Sequence, residues 1–385
     1  MEHNFKKSLS PFYLNERIAL KNRLYFSAMG IDVSHNDGRA SAEFTQFYEN
    51  IINGGCGMVV LGNASIHPST RLHKHGLCLH NDEHAEALYP IINYGNKNGC
   101  EVVVQLQHYG AQGSNTFAGS KLLSPSGLIC SKTKEKEDDH KVRVMTLDDI
   151  IEVRYQFVEA AKRAQLAGAR IVQLQASNGY LLSSFLSPYT NHRLDEYGGD
   201  PFRRMKLLTD VISDIKQALP NLDVSIRLGI DDCLGEKGQR PEVLAPCLGV
   251  LKSLGVVFIE CSMSIRETFN WMLNSTSESK DLFHSGIKKI RSATRLPLGF
   301  AGFVANLKDA EQLIHELNVE LVGMTRAIFA DNELILKSIA GRENEIYKCH
   351  FDGNCFRDKS NPNLDRVYCC VNPKYQRPSS ITYQG

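Results

Sequence analysis

Gln175, Asn178 and Tyr180 stand within six residues of one another, directly after the apolar, β-branched run Arg170–Leu174. Two side-chain amides and a phenol at that spacing can hold a substrate oxygen through N–H groups and hand over a proton. RIVQL reads as a short parallel strand, entered from Ala167-Gly168 at the end of an amphipathic stretch. In an α/β barrel the C-terminal strand ends face the active site, so the cluster would stand where chemistry is done. A plainer alternative stays open: the amides satisfy loop backbone, and Tyr180 is a buried aromatic with a bonded hydroxyl.

Other strand ends carry further polar groups. Gln105 lies at the end of EVVVQLQ, and its amide both donates and accepts, as the pyrimidine edge of an isoalloxazine ring requires. Arg227 ends DVSIRL, where a fixed guanidinium could stabilise negative charge on a reduced ring or simply form a salt bridge. FAGF at Phe300–Phe303 and GMTR at Gly323–Arg326 would follow the seventh and eighth strands, where barrels bind phosphate on backbone N–H groups.

The elements that must position these residues alternate along the whole chain. Strands are expected in Leu20–Ala28, Gly57–Gly62, Glu101–Gln107, Arg170–Leu174, Asp223–Leu228, Val256–Glu260, Leu296–Gly302 and Glu320–Thr325. Between them, helices are expected over Ser41–Asn53, Glu83–Asn98, from Thr146 to Ala167, and over Pro201–Leu219, Pro241–Leu254, Lys280–Thr294, Asn306–Leu317 and Glu333–Ala340. Thr146 is placed as an N-cap, with Asp148 and Asp149 in the first turn where the helix dipole favours acids. Strand then helix, repeated, is the pattern of a parallel sheet with crossover helices. The expectation is an α/β fold, a single (β/α)8 TIM barrel over residues 1–341 with a C-terminal extension, 342–385, packed on it. Tyr109–Met145, with the run KTKEKEDDHKVR, breaks the rhythm after the third strand as a long surface excursion. No G-x-G-x-x-G follows a strand, so a separate nicotinamide domain is not expected.

The stretch GYLLSSFLSPYTNHRLDEYGG, Gly179–Gly199, resembles the signature of the old yellow enzyme family of FMN-dependent ene reductases. LKNRLYFSAMG, NDGRASAEFTQFYENIINGGCGMVVLGNASIHPSTR, QLQHYGAQ and SPSG are similar to its earlier segments, so the resemblance covers nearly all of the chain. It implies FMN held by Ser27, Ala28, Met29, Gly30, Asn63, Gln105, Arg227, Gly302, Phe303, Thr325 and Arg326. It also implies hydride passing from NADH or NADPH to flavin N5 and on to an electron-poor C=C bond. Tyr180 would then be the proton donor, and Gln175 and Asn178 the groups that hold the substrate's oxygen. Four positions depart from the family pattern: Gln175 for a histidine, Gly30 for threonine or cysteine, Ala28 for proline and Thr325 for glycine. Two neutral amides should form a weaker oxygen hole than one with a histidine.

Composition narrows the alternatives. In 385 residues the net charge is +1, which gives no reason to expect nucleic acid or an acidic membrane as partner. Neither a signal-peptide core nor a bilayer-length apolar run is present, so a cytoplasmic protein acting on a small molecule is expected, and a homo-oligomer is compatible with this. Eleven cysteines suit a reducing compartment. His73, His75, His80 and His84 lack a partnering ligand pattern in sequence, so no metal is expected there. Cys349, Cys355, Cys369 and Cys370 resemble part of the iron–sulfur run of larger relatives, with Asp352 where the second cysteine would be, and no cluster is expected. Two other classes remain: an FMN enzyme catalysing a different, pathway-specific oxidation, reduction or isomerisation, and a flavin-binding barrel with a decayed active site.

Overall fold

The structure is a computed structural model that describes residues 5–129, 142–357 and 366–376. Eight parallel strands close a barrel in sequential order: β1 (Leu24–Phe26), β2 (Met58–Ser65), β3 (Glu101–Gln107), β4 (Ile171–Ala176), β5 (Asp223–Asp231), β6 (Val256–Met263), β7 (Leu298–Ala301) and β8 (Leu321–Gly323). Helices between them include α1 (Ala42–Asn53), α2 (Asp82–Lys97), α3 (Leu147–Leu166), α4 (Leu181–Leu186), α5 (Pro201–Ala218), α6 (Leu248–Ser253), α7 (Ser277–Ala293), α8 (Leu307–Leu317), α9 (Thr325–Ala330) and α10 (Leu334–Ile339). This is the (β/α)8 architecture expected from the alternation.

Strand alternation sorts the side chains into two cores. Val102, Val104, Val172, Leu174, Val224, Ile226 and Ile259 face the helices. Their neighbours Val103, Ile171 and Phe258 point inward, where Tyr25, Met58, Val60 and Leu321 join them. The hairpin formed by Phe12–Tyr13 and Ala19–Leu20 brings Leu14, Ile18 and Leu20 to the same cluster and plugs the N-terminal end. Two residues further up the same inward rows the side chains become polar: Gln105, Gln173 and Glu260 follow Val103, Ile171 and Phe258. The barrel is therefore filled by apolar side chains at one end and by polar ones toward its C-terminal mouth.

Helix starts follow local chemistry. Asp200 caps α5 through the N–H groups of Phe202 and Arg203, with Pro201 at the first helical position. Thr146 and Asp149 form a reciprocal capping box at α3, as expected from Thr146 and the acids behind it. Three differences from the sequence reading have physical reasons. The continuous helix expected over Pro241–Leu254 is broken into Pro241–Leu244, a 3-10 turn at Ala245–Cys247 and α6, because Pro246 cannot donate to the helical ladder. β5 and β6 run on past Leu228 and Glu260 to Asp231 and Met263, so Arg227 lies inside its strand rather than at its end. The first strand shrinks from Leu20–Ala28 to Leu24–Phe26, since Leu20 belongs to the hairpin.

The excursion after β3 carries structure of its own, pairing Leu122–Ser124 with Val142–Val144 in parallel. Residues 130–141, most of the charged run, lie outside the described residues. In the C-terminal segment, Val367 and Cys369 join the outer core, and Tyr375 stacks on Phe329 with ring centroids 5.2 Å apart. The Asn372 amide donates to the Phe329 carbonyl at 2.8 Å.

Candidate active site

All fourteen residues expected at the site line one cavity at the C-terminal mouth of the barrel. Counted out to its open mouth, its empty space is about 1310 Å³. Gly62 lets the end of β1 reach it: a Cβ there would stand 2.6 Å from the Ala28 Cβ and 2.8 Å from the Met29 nitrogen.

Below this cavity runs a connected polar network. The Gln105 amide donates to Gln173 Oε1 at 2.7 Å, and the Gln173 amide donates to Glu260 Oε2 at 3.1 Å. The Ser27 hydroxyl donates to Glu260 Oε1 at 2.5 Å, and the Arg227 Nε lies 3.5 Å from that oxygen. Arg227 also donates to the Ser27 hydroxyl and the Ala28 carbonyl, each at 3.3 Å. Strand register explains the pairing, because Gln105 is opposite Gln173 and Arg227 opposite Glu260 on neighbouring strands. Arg227 thus forms the salt bridge foreseen as an alternative and lines the cavity as well.

At the end of β4, the Ser177 hydroxyl lies 2.8 Å from Gln175 Oε1 and 2.9 Å from Asn178 Oδ1, so its single proton is shared between the two oxygens. Both amide oxygens thus turn toward Ser177, which leaves the NH2 ends to donate elsewhere. The Asn178 NH2 donates to the Met263 carbonyl at 3.2 Å and reaches the Met272 sulfur at 3.9 Å, a weak acceptor. Tyr180 stands at the start of α4, fixed by the Leu181 N–H bond to the His108 carbonyl at 3.1 Å. Its ring meets Tyr109 edge-on at 5.2 Å. Burial raises the Tyr180 phenol above its usual range, opposed first by Arg266 and then by Arg227.

Backbone strain gathers at the same mouth. Asp32, Asn178, Cys233, Ser264 and Phe303, with φ of 55°, 60°, 58°, 70° and 62°, follow β1, β4, β5, β6 and β7. Non-glycine residues held there cost about 1–3 kcal/mol each and persist where the surroundings over-determine them.

Beyond β7 and β8, the Thr325 hydroxyl accepts from the Ser27 N–H at 3.0 Å. Arg326 donates to the carbonyls of Leu273 at 2.9 Å and Met272 at 3.3 Å and lies over the Phe351 ring at 4.6 Å. Several cavity residues went unforeseen. Gln173 and Glu260, beneath it, were readable from the inward alternation of RIVQLQ and VVFIE. Arg266, Phe269, Met272, Phe351 and Phe356, over the mouth, come from loops and the C-terminal segment, where no periodicity marks them.

The histidines gain a neighbour the sequence did not suggest: Cys78, His80 and His84 bring ligand atoms within 4.8 Å of one another. Both His84 ring nitrogens face oxygens, Asn81 Oδ1 and the Asp37 carbonyl, which gives this residue a packing role. His73 lines the main cavity instead. In the C-terminal segment, burial pushes the thiols of Cys349 and Cys369 up, and that of Cys355 to about 12, while the Cys370 thiol donates to Asp352 at 3.4 Å.

The mouth of this closed parallel barrel thus gathers an arginine, paired amides and a phenol around one cavity. The chain belongs to the NADH:flavin oxidoreductase / NADH oxidase family, which it matches over residues 9–345, and so to the old yellow enzyme family that its motifs resemble. It is 28% identical over 360 residues to an NADH oxidase of Thermoanaerobacter brockii, covering 92% of this chain and 54% of that protein. An NADPH dehydrogenase of Clostridium acetobutylicum is 24% identical over 328 residues, 85% of this chain and 93% of its own. The chain spans about half the length of the NADH oxidase and of a metal reductase that it also matches. Among solved structures, a 2-naphthoyl-CoA reductase complex superposes with a TM-score of 0.87 at 19% identity, covering 96% of this chain and 57% of that one. The old yellow enzyme homologue from Zymomonas mobilis gives 0.74 at 20% identity, covering 87% and 93%. No helix among the described residues is long and apolar enough to cross a membrane.

Proposed function

We propose that the protein is an FMN-dependent oxidoreductase that uses NADH or NADPH to reduce an activated C=C bond of a small molecule. The observation that carries this reading is the convergence of all fourteen expected residues on one cavity. The residues suit FMN: Gln105 and the Arg227 guanidinium line the cavity together, and Gly302, Phe303, Thr325 and Arg326 follow the strands after which barrels bind phosphate. FMN bound there would supply two-electron hydride chemistry between the nicotinamide and the alkene.

This chain's own residues supply the rest. Gln175 presents its NH2 group to the substrate's carbonyl oxygen, and Asn178 adds a second N–H by exchanging the Met272 sulfur for that oxygen. These bonds draw charge from the alkene. Tyr180 keeps its proton at neutral pH, since burial raises its pKa, and gives it to the carbon next to the carbonyl, recovering one from solvent. The protein should purify yellow, bleach anaerobically with NADH or NADPH, and regain colour faster with cyclohexenone than with oxygen alone. Bleaching without alkene-dependent recovery would point to a different oxidation or isomerisation, and a colourless protein that takes up no FMN would sink the reading.

A further inference from the structure

The arginines at the cavity differ in their partners. Arg227 faces Glu260, and Arg326 is held by two carbonyls. Arg266 lines the same cavity, is half-buried, and among the described residues pairs with no carboxylate; its guanidinium lies over the Phe356 ring at 5.4 Å. It stands on a tethered segment rather than a loose one. The Ile265 N–H donates to the Thr268 hydroxyl at 3.0 Å, and that hydroxyl donates to the Asp232 carbonyl at 2.6 Å. The preceding Ser264 is held at a φ of 70°. Arg266 is near enough to Tyr180 to be the strongest charge acting on the phenol. A cation with no carboxylate partner among the described residues, beside a proposed proton donor and walled by Phe269, Met272 and Phe356, marks a place for an anion on an apolar body.

We propose that Arg266 is a substrate-recognition residue, and that the substrate of this pocket carries a carboxylate in addition to the carbonyl that activates its alkene. The activating carbonyl sits against Gln175 and Asn178, the apolar body against Phe269 and Met272, and the carboxylate on the Arg266 guanidinium. The assignment rests on the ene-reduction reading for its chemistry, and on the position of Arg266 for its anion.

The test compares a cyclohexenone bearing a propanoate chain with its methyl ester, two substrates of equal alkene reactivity, on the FMN-loaded enzyme and its Arg266→Gln and Arg266→Lys variants. Expected is a rise of at least tenfold in KM for the acid relative to the ester in Arg266→Gln, partly reversed in Arg266→Lys. Equal shifts for acid and ester overturn the proposal, as does a shift that falls instead on the KM for NADH or NADPH. If neither alkene is reduced, the ene-reduction reading fails by itself, and calorimetric binding of 3-phenylpropanoate against 3-phenylpropanamide decides the anion site. Tighter binding of the acid that disappears in Arg266→Gln upholds it; equal affinity for acid and amide, or a preference that survives the substitution, refutes it.

Discussion

The floor and the roof of the cavity are built on different principles. The floor is barrel: Gln105, Gln173, Arg227 and Glu260 project inward from adjacent strands, and each hydrogen-bonds or ion-pairs with a neighbour. The roof is loop and C-terminal segment: Phe269 stacks on Phe356 with centroids 4.2 Å apart, and Arg266 lies over the same ring with no carboxylate partner among the described residues. A satisfied polar network in low dielectric is rigid and costly to disturb. An aromatic cover with an unpaired charge can be exchanged at little cost to the fold. The floor should therefore govern stability and cofactor chemistry, and the roof should govern which molecule enters.

Glu260→Ala breaks this comparison or sharpens it most. Glu260 is fully buried and serves Ser27, Gln173 and Arg227, so its loss leaves the Arg227 charge uncompensated. Removing one member of a buried pair costs about 3–5 kcal/mol. Denaturant unfolding of the FMN-free protein should show that loss. A cost under about 1 kcal/mol would mean the floor is no more integral than the roof.

This division also accounts for how much of the molecule was legible in the sequence. Barrel strands show themselves because two-residue periodicity is imposed by burial, and the same periodicity carries Gln105 and Arg227 into the cavity. Glu260 could have been found by the same count, but the strand was taken to end there, although it continues to Met263. Nothing local marks Arg266 or Phe356, because their place depends on how loops and a distant segment fold back. Motif resemblance reached Gln175, Asn178 and Tyr180, while the hold of Met263 on Asn178 is tertiary and had no sequence signal.

Tyr180→Phe comes next in size. A positioned general acid contributes on the order of 10²–10⁴-fold, so alkene-dependent recovery of flavin colour should slow at least a hundredfold. Bleaching by NADH or NADPH should change little, since no proton from Tyr180 is needed there. Stopped-flow measurement of the two half-reactions separates these outcomes, and equal slowing of both would make Tyr180 a structural residue of α4.

His108 follows β3 just beyond Gln105, and its effect is on pH dependence. It is buried, its Nδ1 accepts the Gly110 N–H at 3.0 Å, and burial lowers its pKa to about 3. The folded state thus holds a neutral imidazole, while the unfolded chain takes up a proton near pH 6.5. The stabilisation is complete above that pH and is lost as pH falls from about 6.5 toward 3. By pH 5 the loss is about 1.5 pH units, or about 2 kcal/mol. Unfolding free energies at pH 7.5 and pH 5 should differ by about 2 kcal/mol less in His108→Gln than in the wild type.

Phe356→Ala should have the smallest effect on the fold. Phe356 comes from the C-terminal segment, is only half-buried, and meets the barrel loops through its stack on Phe269 and the Arg266 guanidinium above it. An aromatic pair contributes about 0.5–1.5 kcal/mol beyond the area it buries, and an exposed cation–π contact about 0.5–1 kcal/mol. Part of both is recovered when Phe269 and Arg266 are rehydrated at the open mouth, so unfolding should shift by about 1 kcal/mol or less. The larger change should be in selectivity. With one wall of the roof gone and Arg266 less constrained, KM for a bulky cyclic enone should move severalfold, while the flavin potential, which under the proposed function depends on Arg227 in the floor, should stay where it was. Denaturation, a KM series of enones of increasing size and a potentiometric titration together test this. Should Phe356→Ala move the potential or cost as much stability as Glu260→Ala, the cover would be part of the cofactor's support and the two regions would have to be treated as one.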